Sequence, residues 1–464
     1  MKKILAILVL LLVENIALAA DSSVNQLWNK TYGGSGDDYG NSLVQTSDGG
    51  YAITGVTWAS GAWYPDAWLI KTDQYGNHIW NKTYGCGDGY YGDSLVQTSD
   101  GGYAITGYTW SFEAGFCDVW LIKTDPYGNH LWNKTYGCGD GYYGESFVQT
   151  SDGGYAIVGH TWSSGAGDMD VWLIKTDQYG NQLWNKTYGG SNYDAGYSLV
   201  QTSDGGYAIT GSTNSSGAGD RDVWLIKTDQ YGNQLWNKTY GGSNYDFGFS
   251  LVQTSDGGYA IVGHTWSSGA GGSYAWLIRT DQYGNHMWNK TYDYYGESLV
   301  QTSDGGYAIT GSGAGDILTE SFNANVTIHD VDNDVWLIKT DQYGNRLWNK
   351  TYGGSNYDAG YSLVQTSDGG YAITGSTYSY GAGGSDLWLI KVFDSSSVIS
   401  TTTTTTSTTS TSSTSTTLSS ARVKGIDISH HQHGCDLCED LGQGYVCDSD
   451  CKTIDWEKVK QDNI

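Results

Sequence analysis

The chain has 464 residues, room for two or three domains, and its 67 glycines, 38 tyrosines and 20 tryptophans against 2 prolines point to β structure, with helical periodicity nearly absent. A formal net charge of −26, from 23 basic against 49 acidic side chains, excludes a nucleic-acid partner, because phosphate binding needs lysine and arginine in excess. Acidity of this size suits solubility, cation binding or a salty surrounding without choosing among them.

At the N-terminus Lys2 and Lys3 precede an apolar run over 4–13 and small residues at Ala17, Ala19 and Ala20. This order reads as an export signal over 1–20. Ten apolar residues are too few for a bilayer span of roughly twenty. No later segment is long and apolar enough to cross a membrane, so the expectation is an extracellular or cell-surface protein without a span after signal cleavage.

Internal repetition organises 21–394. The segment Trp28-Asn29-Lys30-Thr31-Tyr32 recurs from Trp80, Trp132, Trp184, Trp236, Trp288 and Trp348, five times at a spacing of 52 and once at 60. Between these points Thr-Ser-Asp-Gly-Gly-Tyr appears seven times, with its aspartate at Asp48, Asp100, Asp152, Asp204, Asp256, Asp304 and Asp368. The first copy reads as four short strands over 42–47, 51–57, 67–72 and 78–84, separated by the turn residues Asp48-Gly49-Gly50 and Asp73 to Asn77. Four antiparallel strands per repeat describe a propeller blade. A lone fourth strand over 26–32 comes first and the last repeat stops after its third strand over 387–392, so the N-terminal strand can complete the seventh blade and leave no exposed sheet edge. The predicted fold class is all-β, a seven-bladed β-propeller closed by its N-terminal strand.

The turn Asp73-x-x-Gly76-x-x-x-Trp80 resembles the tryptophan-docking repeat of quinoprotein propellers, and Thr46-Ser47-Asp48-Gly49-Gly50 is similar to the front half of the sialidase Asp-box. Neither resemblance implies catalysis here. A sialidase needs an arginine cluster, whereas the propeller has Arg221, Arg279 and Arg346, and the adjacent cysteines of such quinone enzymes have no counterpart. The propeller is read as non-catalytic, and no cofactor is expected.

Loops before the first strand and between the second and third strands vary most between copies, and should share one face, where binding usually resides. They carry Trp58, Trp63, Trp110, Trp162 and Trp266, which could stack on sugar rings or pack between blades; for any single one packing is the plainer reading. In the longer loop of the sixth repeat Asp330, Asp332 and Asp334 offer a weak calcium option beside the reading as a solvated acidic loop; no other metal site is expected in the propeller. Cys86, Cys117 and Cys138 fall in loops of the same face and suggest one disulfide and one thiol.

Residues 395–421 are almost pure serine and threonine and form a disordered spacer. Beyond it Gly425-Ile426-Asp427-Ile428-Ser429-His430 and Ile454-Asp455-Trp456 resemble the opening of the glycoside hydrolase family 25 lysozymes. That resemblance implies that 422–464 begins a β/α-barrel domain cleaving peptidoglycan, with Asp427 among its active-site carboxylates. The second carboxylate that such hydrolysis needs is expected beyond Ile464, so the chain should hold only the start of the catalytic domain. Cys435, Cys438, Cys447 and Cys451 lie between the two motif halves, as two disulfides or a zinc site.

Two functions follow. One is a secreted modular muramidase, with the propeller as a targeting module for peptidoglycan or another cell-surface glycan. The other is a non-catalytic surface propeller that binds glycan or protein. Either is expected as a monomer.

Overall fold

Alternation along the strands of each repeat decides how the sheets pack. In the first copy Tyr51, Ile53 and Ile70 point to one side and Ala52, Ala67 and Leu69 to the other, all of them almost fully buried. A sheet apolar on both sides must be sandwiched on both sides. In the computed structural model, which describes residues 24–58, 64–85, 89–109, 118–137, 141–162, 165–267, 273–314 and 333–395, each sheet is packed between two others.

Seven four-stranded antiparallel sheets are present. Blade 1 consists of strands a (Asp38–Gln45), b (Tyr51–Thr57), c (Asp66–Thr72) and d (His78–Tyr84), and later blades repeat this order. Strand a of each blade touches strand a of the next, including the first blade's with the seventh's, so the a strands ring the axis and the d strands lie outermost. The hydrophobic core is correspondingly divided into clusters, each shared by two neighbouring blades: Ala104, Val119 and Leu121 of blade 2 meet Phe147, Ile157 and Trp172 of blade 3.

Blade 7 is assembled from both ends of the repeat array. Its strand c, Asp386–Asp394, pairs antiparallel with the N-terminal strand Val24–Tyr32, from Val24 opposite Asp394 to Tyr32 opposite Leu387. The ring is closed by the N-terminal strand, as the register of the repeats predicts.

The d-strand tryptophan lies across the turn of the following blade. Trp80 covers Gly128, which has φ +75° and stands so close that a Cβ there would lie 2.6 Å from the ring. Trp80 also meets Tyr103 edge-on, with ring centroids 5.9 Å apart. Beside it the Tyr84 hydroxyl donates to the Gly128 carbonyl at 2.8 Å.

Strand a begins earlier than the sequence suggests, at Asp38 rather than residue 42. Pairing continues through a bulge at Asn41, where the register slips between Gly40 and Ser42, and the same slip occurs in all seven blades. An extra residue at a bulge breaks the alternation by which a strand is recognised. The sixth blade's long connection is also shorter than its sequence implies, because strand b runs on to Ala314 and strand c starts at Asn333.

Candidate binding face

The two faces of the disc differ. One carries the a–b turns of all seven blades and the c–d turns of blades 1 to 6, nearly identical in each. Asp48 Oδ1 there accepts hydrogen bonds from Thr46 Oγ1 at 2.5 Å and Gly50 N at 3.0 Å, and Asp48 Oδ2 stands 2.9 Å from the buried ammonium of Lys71. Burial raises the Asp48 carboxyl, but the bonds from Thr46, Lys71 and Gly50 outweigh it and hold the group down to about 2. The arrangement recurs in all seven blades, with Arg279 in place of lysine beside Asp256. Between blades, Ser47 N donates to Gln97 Oε1 at 2.9 Å, and the series runs round the ring until Ser367 N meets Gln45 Oε1 at 2.8 Å. The Asp-box-like turn is thus part of the framework, its carboxylate engaged by a lysine of its own blade or, in blade 5, by Arg279.

The opposite face carries the b–c and d–a connections, and the seven copies disagree there. The bulge residue is Asn41, Asp93, Glu145, Tyr197, Phe249, Glu297 and Tyr361 in turn, between a glycine and a serine that never change. Contacts between these residues join neighbouring blades: Asn41 Nδ2 to Asp93 Oδ1 at 3.3 Å, and the rings of Tyr197 and Phe249 at 5.2 Å. Such contacts place them around the axis, with Asp93 and Glu145 side by side in blades 2 and 3, Tyr197 and Phe249 in blades 4 and 5, and Glu297 between Phe249 and Tyr361. Burial pushes the Glu145 carboxyl up to about 7, and burial and the nearby Glu145 charge lift Asp93 well above the carboxylate range. His160, 3.7 Å from Glu145 Oε1, is lowered to about 4 by burial, so at neutral pH it is an uncharged neighbour. His264 Nε2 stands 3.4 Å from Glu297 Oε1.

Strand b contributes a second varying position above the bulge: Val56, Tyr108, His160, Ser212, His264, Ser312 and Ser376. Tyr108 stacks on Tyr91 at 4.4 Å and His160 on Tyr143 at 4.8 Å. Further out, Trp162 and Trp266 are 46% and 48% exposed, each meeting a tyrosine edge-on, Tyr193 at 5.3 Å and Tyr245 at 5.7 Å. Trp162 of blade 3 thereby meets the connection that leads into blade 4, whereas Trp266 and Tyr245 both belong to blade 5. Trp58 holds the same place in blade 1 but is half-buried, its N–H donating to the Asp37 carbonyl at 3.2 Å. In blade 7 the place is taken by the exposed Tyr378. The Arg221 guanidinium lies over the rings of Tyr193 and Phe247, at 5.4 and 5.7 Å.

Trp63, Trp110, Cys86, Cys117, Cys138, Asp330 and Asp332 lie outside the described residues, as does everything from residue 396 onward, including Asp427, Cys435, Cys438, Cys447 and Cys451. Asp334 is described, as the second residue of strand c of blade 6. The bulge residues and Tyr378 were not foreseen in the sequence. The available signal was a single position on which seven otherwise matching copies differ.

No family model matches the chain. No curated protein matches it either. Among solved structures it is similar to the WD40 domain of Neurospora crassa Pan2, at 10% identity over 79% of this chain and 95% of that one with a TM-score of 0.48. It is similar to a protein of unknown function from Dyadobacter fermentans, at 11% identity over 80% and 99% with a TM-score of 0.46. A third likeness is to an α-L-arabinanase from Penicillium chrysogenum complexed with arabinobiose, at 12% identity over 81% and 100% with a TM-score of 0.42. The seven-bladed architecture itself rests on the chain's own sheets and their closure.

Proposed function

We propose that this is an exported modular cell-wall protein, in which the propeller is a non-catalytic module that holds a surface glycan on its variable face. One observation carries the reading: the seven copies agree throughout the framework and on the turn face but differ at the axial mouth and in the connections outside it, where Trp162 and Trp266 stand half-exposed. Exposed rings offer faces for stacking on sugars, and the neighbouring Asp93 and Glu145, with Glu297 set apart between Phe249 and Tyr361, offer acceptors for hydroxyl or ammonium hydrogens. Co-sedimentation of the full chain with insoluble peptidoglycan tests it. The double change Trp162→Ala and Trp266→Ala should weaken retention at least tenfold, about 1.4 kcal/mol. Equal retention of wild type and variant would remove the glycan face from consideration.

The resemblance of Gly425 to His430 and Ile454 to Trp456 to family 25 lysozymes supports a second element, a muramidase domain beginning at 422 behind the serine- and threonine-rich spacer. On this reading the propeller delivers the hydrolase to its polymer. Release of reducing sugar from peptidoglycan by the full protein, abolished by Asp427→Asn, is the expected result. Retention on the wall without any release leaves the binding propeller alone.

A further inference from the structure

The d–a connection takes two forms. Four times it reads Gly-Gly-Ser-x-x-Asp, ending in Asp38, Asp194, Asp246 and Asp358, the first residues of strand a in blades 1, 4, 5 and 7. In blades 2, 3 and 6 the place is held by Tyr90, Tyr142 and Tyr294. Wherever the aspartate is present, strand c of the preceding blade also begins at or beside an aspartate: Asp386, Asp170, Asp222 and Asp334 respectively.

The two carboxylates of each pair converge on the first glycine of the connection. A Cβ at Gly189 would collide with Asp170 Oδ1 and lie 2.8 Å from Asp194 Oδ2. Gly33 stands likewise between Asp386 and Asp38, Gly241 between Asp222 and Asp246, and Gly353 between Asp334 and Asp358. Only glycine permits so close an approach. Backbone bridges tie the two loops together, Met169 to Tyr193 and Arg221 to Tyr245.

These are not surface charges. Asp38, Asp170, Asp194, Asp222, Asp246, Asp358 and Asp386 are all at most 2% exposed. Backbone amides satisfy part of their capacity: Ala166 N donates to Asp170 Oδ2 at 2.7 Å and Gly190 N to Asp194 Oδ2 at 2.8 Å, the latter also accepting from Ser215 Oγ at 2.7 Å. Yet Oδ1 of Asp38, Asp170 and Asp246 is buried with no hydrogen-bond partner, and no lysine or arginine forms an ion pair with any of these carboxylates among the salt bridges of the described residues. Two carboxylates in one dry cradle cannot both remain charged without a counter-ion. Burial, with the facing aspartate adding to it, raises Asp170, Asp222 and Asp386.

We propose that these inter-blade aspartate pairs are cation sites, and that the ion is calcium. All the donors are hard oxygens, with no histidine or cysteine among them, which selects calcium or magnesium over zinc. Among the described residues no three acidic, histidine or cysteine side chains converge on one point, so the remaining ligands are loop carbonyls, hydroxyls and water. Such mixed shells with irregular geometry suit calcium better than octahedral magnesium. Beside the Asp170–Asp194 pair a cavity of about 250 Å³, lined by Gly189, Gly190, Thr213, Ser215 and Trp224, leaves room for that water. The site stands independently of any glycan on the axial mouth.

Isothermal titration of the chelator-stripped full chain with calcium, and its melting temperature with calcium or with EGTA, test the assignment. We expect saturable binding of up to four ions and a rise of several degrees that magnesium does not reproduce. Asp170→Asn and Asp222→Asn together should lower the stoichiometry by two. Asp66→Asn, at the same strand position but facing Tyr90 in place of a carboxylate, should leave it unchanged. Absence of calcium heat together with an unchanged melting temperature in EGTA overturns the proposal, and assigns the pairs to shared protons. Should the double variant fail to fold, terbium luminescence excited through Tyr193 and Tyr245 in the wild-type protein, displaced by calcium, decides the same point, and its absence is equally fatal.

Discussion

The outer tyrosine of each blade shows how one hydroxyl depends on the blade that follows. Tyr188 donates to the Gly232 carbonyl at 2.7 Å, in the c–d turn of the next blade, and Tyr32, Tyr84, Tyr136, Tyr240 and Tyr292 do the same with their own turns. Tyr352 cannot: blade 7 takes strand d from the N-terminus and has no c–d turn, so the Tyr352 hydroxyl is buried without a partner. Tyr188→Phe should therefore cost about 1 kcal/mol, whereas Tyr352→Phe should be neutral or slightly stabilising, since a buried unpaired hydroxyl is itself a penalty. Midpoints of urea unfolding for the two variants check this. The repeated tyrosine is plain in the sequence, but its odd seventh member becomes visible only when the ring is closed. The paired aspartates were equally hidden, because Asp170 and Asp194 belong to different blades and meet through a contact that no single repeat contains.

At the level of the blade, the a–b turn joins local sequence to a buried charge. Lys175 is 4% exposed while its partner Asp152 is largely in solvent, so removing either one has unequal effects. Asp152→Ala strands an ammonium whose other acceptor is the Thr176 carbonyl at 2.7 Å, and should cost about 2–3 kcal/mol; Lys175→Met leaves the carboxylate free to hydrate and should cost under about 1 kcal/mol. Folding also holds Asp48 and Asp204 down to about 2, and the other five turn aspartates are lowered. Groups lowered in the folded state add stability above their ordinary value near 4, and lose that contribution as pH falls toward 2. Urea midpoints at pH 7 and pH 3 should thus converge for wild type and Asp152→Ala. Blades were legible because period, turn residues and strand alternation coincide at 52-residue spacing. The upper part of strand a was not, since the bulge at Asn41 and its equivalents interrupts that alternation at the very residues that face the axis.

Closure of the whole ring depends on nine residues that lie more than 350 positions from the strand they pair with. Removing 24–32 would uncover strand c of blade 7 along its full length and take Val24 from a cluster that includes Trp348, Leu363 and Val392. Trp348 has no following turn glycine to cover, and its burial at 9% exposure belongs to this cluster. Trp28 would be lost with the strand, and with it the ring that covers Gly76 of blade 1. Both faces of the seam are thereby opened, exposing an apolar edge strand of the kind that pairs with other chains. A variant lacking 24–32 should unfold at a markedly lower temperature and elute as dimers or larger species. Supplying the peptide 24–32 in trans should restore the monomer, because the seam offers it one register, set by the slip between Gln26 and Trp28. A truncated protein that stays monomeric with unchanged stability would mean that the other six blades hold the ring without its closing strand.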